Sequence, residues 1–222
     1  MSGVEDVYAR LKEQILTCAL APGAELRELV LVEETGHSRS TVRTALGRLV
    51  ADQLVEVRPR KGYHVSEVDL ADVREVFELR MLLEPAAAEL AARRAPRARV
   101  EELHDLAHAR GDAGDPAAYA AYLADNREFH VRIAEAAGNQ RLAAALRGVL
   151  EEMQRLFFLS RATRSGGTDD RGGGEQAQHE HHALYDAILA GDAERARQVA
   201  ETQIEESRER VLATLLDLSL PR

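Results

Sequence analysis

Thr35-Gly36-His37-Ser38-Arg39-Ser40-Thr41-Val42-Arg43-Thr44-Ala45-Leu46-Gly47-Arg48-Leu49-Val50 is the stretch that decides how the first third of this chain folds. Val42, Ala45, Leu46, Leu49 and Val50 recur at helical spacing and make one inward face. At about 100° per residue, Ser40, Thr41, Arg43, Thr44, Gly47 and Arg48 fall on the opposite side. Ser38 offers a side-chain oxygen as N-cap, and Arg39 lies in the first turn. A short helix from about Glu28 to Thr35 precedes it, ended by Gly36 in the usual position just past a helix. Helix, tight Gly turn, then a helix with an outer face of Arg, Ser and Thr is a helix-turn-helix. Arg can grip guanine edges bidentately, while Ser, Thr and main-chain amides hold phosphate.

On the N-terminal side, Val7, Leu11, Ile15 and Ala19 form one stripe of a first helix, stopped by Ala21-Pro22-Gly23. The single Cys18 reads as a small buried hydrophobe on that helix. On the other side, Leu54-Val55-Glu56-Val57 and Tyr63-His64-Val65 flank Arg58-Pro59-Arg60-Lys61-Gly62. Two β-rich runs around a Pro/Gly turn predict a hairpin with a basic tip, a wing suited to the sugar-phosphate backbone. The candidate DNA-binding set is Ser38, Arg39, Ser40, Thr41, Arg43, Arg48, Arg58, Arg60, Lys61 and Gly62. Residues 1–66 hold nine Lys/Arg against nine Asp/Glu, so the formal charge of −9 belongs to the rest of the chain. A local basic patch on a neutral module joined to an acidic one is compatible with DNA binding.

Pro22-Gly23-Ala24-Glu25-Leu26-Arg27-Glu28, Gly36-His37-Ser38-Arg39-Ser40-Thr41-Val42-Arg43-Thr44-Ala45-Leu46, Leu54-Val55 and Gly62 together resemble the GntR family of regulators. The resemblance implies that Arg39, Thr41 and Arg43 read or clamp DNA and that Gly62 lets the wing tip approach it. The family usually has Arg followed by Glu where this chain has Leu29-Val30, so one expected contact is missing.

From Asp69 onward helical periodicity takes over, giving six helices at about 69–94, 97–111, 116–137, 139–164, 174–190 and 192–217. The fold class is therefore mainly α: a winged helix-turn-helix over 1–66 and an all-α bundle over 67–222. A Gly-rich stretch, 165–174, reads as a flexible loop and lacks the Gly-Lys-Ser/Thr of a phosphate-binding loop. His179-Glu180-His181-His182 fails the His-Glu-x-x-His zinc-peptidase pattern, because Ala183 follows; His179 and His182 are expected to be exposed or, at most, to back the residues that line the pocket. The informative positions are polar residues that interrupt apolar stripes. Arg80 lies on the face of Val73, Phe77, Glu84 and Ala88, and Asn126 and His130 on that of Tyr122, Phe129 and Ile133. His181 shares a face with Leu184 and Ile188, and Gln203 one with Val199 and Ser207. Five inward polar groups from four helices make a candidate ligand site, since buried polar groups require partners.

Glu78-Leu79-Arg80 with Leu83-Glu84-Pro85, Asn126-Arg127-Glu128-Phe129-His130 with Ala137-Gly138-Asn139, and Glu180-His181 with Ala187-Ile188 and Gly191-Asp192 resemble the FCD effector domain of the FadR subfamily. That resemblance implies a divalent ion (Zn, Ni or Mn type) on Asn126, His130, His181 and Gln203, helping to hold a carboxylate effector near an Arg. Asn126 and Gln203 stand where the family's full set has Asp and His. Without metal, Arg80 and the two imidazoles would take an acidic metabolite directly, Arg80 through a bidentate pair.

No signal segment, membrane span or catalytic constellation is legible, and one cysteine suits a reducing compartment. The expectation is a cytoplasmic homodimeric repressor, not an enzyme, that binds double-stranded operator DNA and senses a small carboxylate. The rivals are a constitutive regulator with a vestigial sensor and, more remotely, a metal-dependent hydrolase.

Overall fold

The computed structural model describes residues 3–109, 115–163 and 181–219. The chain divides into two compact units, Met1–Leu70 and Ala71–Arg222. Among the described residues, no helix is long and apolar enough to cross a membrane.

The first unit contains α1 (Gly3–Leu16), β1 (Glu25–Leu26), α2 (Glu28–Thr35), α3 (Arg39–Ala51), β2 (Val55–Arg58) and β3 (Gly62–Val65). Val7, Leu11 and Ile15 of α1 pack with Val42, Ala45, Leu46 and Leu49 of α3, all nearly solvent-free. Burying each Leu or Val contributes about 1.5–3 kcal/mol, so this seam sets how α3 is presented. The expected stripe on α1 is shorter than the spacing suggested. The helix stops at Leu16, Cys18 takes a left-handed φ of 56° outside it, and Ala19 is exposed. The chain turns there because Leu20 donates its N–H back to the Gln14 carbonyl.

Both expected caps form. Gly36 adopts φ 71° and donates to the Val32 carbonyl; the Ser38 hydroxyl accepts the Thr41 N–H at 3.2 Å. The hairpin also forms, and the sheet gains a member that the sequence reading lacked. β1 pairs antiparallel with β3, giving the order β1-β3-β2 with Glu25 opposite His64 and Leu26 opposite Tyr63. Two residues are too short to show an alternation, so only the partner strand defines them as β.

The second unit is helical: α4 (Leu70–Arg94), α5 (Arg97–Glu101), α6 (His104–Ala107), α7 (Pro116–Ala136), α8 (Gln140–Thr163), α9 (residues 181–189 as described) and α10 (Ala193–Ser219). The single helix expected at 97–111 is instead two short ones, α5 and α6. Val100, Leu103 and Ala107 are buried across the break, so the apolar periodicity runs on while the hydrogen-bond ladder does not. The core joins Ala87, Ala88 and Ala91 of α4 to Phe129 and Ile133 of α7, Leu146 and Leu150 of α8, Leu184 and Ile188 of α9, and Ala196 and Ala200 of α10. Small alanines on α4 let these helices approach closely, consistent with a chain that is only 4% aromatic. The expected loop at 165–174, the start of the helix at 174, and His179 lie outside the described residues.

Candidate functional site

The first site is the outward face of α3 with the wing. Arg39 and Arg43 are largely exposed, at 65% and 61% of their side chains, while Ser40 and Thr44 are exposed and Thr41 half-buried. Both arginines lean on one carboxylate: Arg39 Nε donates to Glu28 Oε2 at 2.7 Å, and Arg43 Nε lies 3.6 Å from Glu28 Oε1. Ser38 is occupied as a cap, and its hydroxyl also lies 2.9 Å from both the Ser40 and Thr41 hydroxyls. Arg48 is held by α1, donating to Glu5 at 2.7 Å and stacking 4.0 Å from the Tyr8 ring centroid.

The wing tip is narrower than the sequence reading drew it. Arg58 is the last residue of β2, not part of the tip, and its guanidinium is taken by Glu56 at 2.6 Å and Glu67 at 2.8 Å. That leaves Arg60 and Lys61 as exposed tip cations. Arg60 and Gly62 both adopt positive φ, 64° and 83°, which closes the turn after Pro59. Glycine reaches this region without steric conflict.

The second site lies inside the helical unit. Arg80, His130, His181 and Gln203 are each no more than 6% exposed. Arg80 and His130 meet on Glu84, a residue that the sequence reading placed on the right face without giving it a role. Arg80 Nε donates to Glu84 Oε1 at 2.6 Å, and His130 Nδ1 donates to Glu84 Oε2 at 3.0 Å. Arg80 Nη1 reaches the Ser207 hydroxyl at 3.4 Å, one turn beyond Gln203 on α10. The His130 and His181 rings meet edge-on with centroids 5.2 Å apart, and Phe129 backs His181 at 4.9 Å.

Burial alone would raise the Glu84 pKa, but Arg80 and His130 outweigh it and hold the carboxyl well below the usual carboxylate range. Burial, reinforced by His130, pushes His181 well below the ordinary imidazole value, so it is neutral at pH 7. The cluster thus holds an ionised carboxylate, a guanidinium and one neutral imidazole out of water.

Asn126 departs from expectation: it is half-buried and joins none of these contacts. Of the two positions expected for His182, the exposed one is not taken: it is half-buried and stacked on His108 with centroids 4.0 Å apart. The set Asn126, His130, His181 and Gln203 does not fit a four-ligand site for a divalent ion. Two members are neutral amides, weak donors for zinc-type ions, and the Glu84 carboxylate is already shared by Arg80 and His130. Among the described residues, no group of three or more His, Cys, Asp or Glu is placed to hold a metal.

Comparison with known proteins finds two family models in order along the chain. Residues 4–65 match the bacterial regulatory proteins of the gntR family, and residues 75–206 match the FCD domain. The HTH-type transcriptional regulator BphR of Paraburkholderia xenovorans is 31% identical over 218 residues, covering 92% of this chain and 83% of that regulator. The regulator LutR of Bacillus subtilis is 28% identical, covering 80% and 86%. Among solved structures, E. coli McbR/YncC aligns with a TM-score of 0.79 at 25% identity, covering 96% of this chain and 98% of that one. A GntR-type regulator from Rhodococcus sp. RHA1 aligns at 0.75, also at 25% identity, covering 96% and 99%.

Proposed function

Because the chain belongs to the GntR family, as a DNA-binding transcriptional regulator with an FCD domain, we propose that it is a homodimeric repressor released by a small carboxylate that docks on Arg80. The observation that carries this reading is the buried Arg80 guanidinium. It uses Nε on Glu84 and Nη1 on Ser207, and among the described residues no hydrogen bond occupies its Nη2 edge. A guanidinium has five donors in a planar fork, so a carboxylate can engage the remaining edge while Glu84 fixes the orientation. His130, with Nδ1 committed to Glu84, and neutral His181 offer further polar contact beside it.

The response follows from differential binding. An acid that favours one arrangement of the helical unit shifts the population of half-site spacings available to the two recognition helices. Leu79 and Leu82, one turn apart on α4 and 46% and 70% exposed, supply an apolar face that supports self-association.

The donor chemistry at Asn126 and Gln203 supports a response that is independent of metal. The test is thermal melting of chelator-treated full-length protein against a panel of mono- and dicarboxylates. At least one acid is expected to raise the midpoint in the wild type, with the rise lost in Arg80→Met and in His130→Ala/His181→Ala. A rise that persists in Arg80→Met counts against the site. A rise seen only after zinc or nickel is restored counts against the metal-free reading, and silence across the panel favours a constitutive regulator. An acid that tightens the DNA complex overturns release by the acid.

A further inference from the structure

Glu28 is the residue at the DNA-facing surface that electrostatics alone would remove. Duplex DNA carries about one negative charge per 1.7 Å of axis, and a carboxylate beside the recognition helix opposes its approach. Yet Glu28 opens α2 with its side chain 18% exposed, clamped between the two most outward arginines of α3. It touches both through Nε: Arg39 at 2.7 Å and Arg43 at 3.6 Å. Arg39 and Arg43 stand one helical turn apart, so one carboxylate spans both.

We infer that Glu28 is a positioning residue for sequence recognition. It holds Arg39 and Arg43 by their inner Nε edges and turns their terminal amino groups toward base edges in the major groove. The inference rests on the DNA-binding assignment and names what gives that surface its selectivity. Arg side chains lose rotamer freedom when they bind. A guanidinium already tethered has less to lose, and it presents its paired donors in one direction, as bidentate contact with guanine O6 and N7 requires. The contribution to non-specific attraction has the opposite sign, because Glu28 subtracts one charge from the face. Selectivity and raw attraction therefore respond oppositely to its removal.

The experiment uses the full chain and a duplex enriched by the wild type from a random-sequence pool, with a scrambled duplex of the same composition. Fluorescence anisotropy is measured over a range of salt for wild type, Glu28→Gln, Glu28→Ala and Glu28→Asp. The expected result for Glu28→Gln is a fall of about tenfold or more in affinity for the enriched duplex. Affinity for the scrambled duplex should hold or rise, and its salt slope should steepen by up to about one. Glu28→Asp should retain part of the discrimination, and Glu28→Gln should have little further effect in an Arg39→Ala background. Thermal midpoints should match the wild type. Two affinities rising together would make Glu28 a simple counter-charge, and two falling together would make it structural; either overturns the inference. A wild type that enriches no sequence removes the DNA assignment itself, a failure distinct from one confined to the Glu28 variants.

Discussion

His130 Nδ1 on α7 lies 3.0 Å from Glu84 Oε2 on α4, and both side chains are almost wholly buried. Since Glu84 also receives Arg80 at 2.6 Å, one carboxylate ties two cation-capable groups, from α4 and α7, into a unit with itself. Breaking one member of a buried pair leaves a charge uncompensated, whereas removing both leaves none. Glu84→Gln should therefore lower the stability of the helical unit by about 3–5 kcal/mol. Arg80→Met/Glu84→Met should lose less than the sum of its single variants. Urea unfolding followed by far-ultraviolet circular dichroism measures both, and additive losses would deny the coupling.

The same cluster predicts acid sensitivity in two stages. His181 has a folded pKa well below 6.5, so the unfolded chain takes up its proton first. The stability it provides is present above pH about 6.5 and declines as pH falls below that. Glu84 has a folded pKa well below 4.5, so its contribution is present above pH about 4.5 and is lost on further acidification. Thermal midpoints recorded from pH 7.5 down to 3.5 should show both declines. His181→Gln should flatten the first and Glu84→Gln the second.

On the outward face of α3, Arg43→Ala should abolish selective DNA binding while changing stability by no more than about 0.5 kcal/mol, as for other exposed positions. Arg48→Ala should behave differently, because its guanidinium is engaged with Glu5 and the Tyr8 ring. It should lose some stability through the α1–α3 seam and weaken selective binding less than Arg43→Ala. Anisotropy and thermal melting on the same samples separate the two; equal effects on DNA would contradict the division of labour.

The turn between α2 and α3 should be sensitive at two points for different reasons. Gly36 sits at φ 71° with nothing within 4 Å of where a Cβ would project. Gly36→Ala therefore meets no clash and pays only backbone strain, about 1 kcal/mol. Ser38→Ala removes the oxygen that receives the Thr41 N–H, again about 1 kcal/mol. Chemical denaturation of the full chain, reading the transition of the N-terminal unit, checks each value, and a neutral Ser38→Ala would mean that water replaces the cap.

Much of this molecule was legible in the residues themselves because short-range physics determined it. The inward stripe of α3, the glycine and serine that bound its turn, and the polar interruptions at Arg80, His130, His181 and Gln203 all follow from periodicity and local backbone preference. Tertiary structure decided what depends on partners distant in sequence. β1 exists because β3 lies beside it, and the Arg58 guanidinium is engaged by Glu67 from beyond the hairpin as well as by Glu56. Glu28 acquires its role only when Arg39 and Arg43 of α3 meet it, and Glu84 only when His130 of α7 joins its helical neighbour Arg80. Asn126 shows the reverse: the right face of a helix did not bring it into the cluster. A sequence displays which residues share a surface, but a carboxylate's role depends on which cations reach it, and distance in three dimensions settles that.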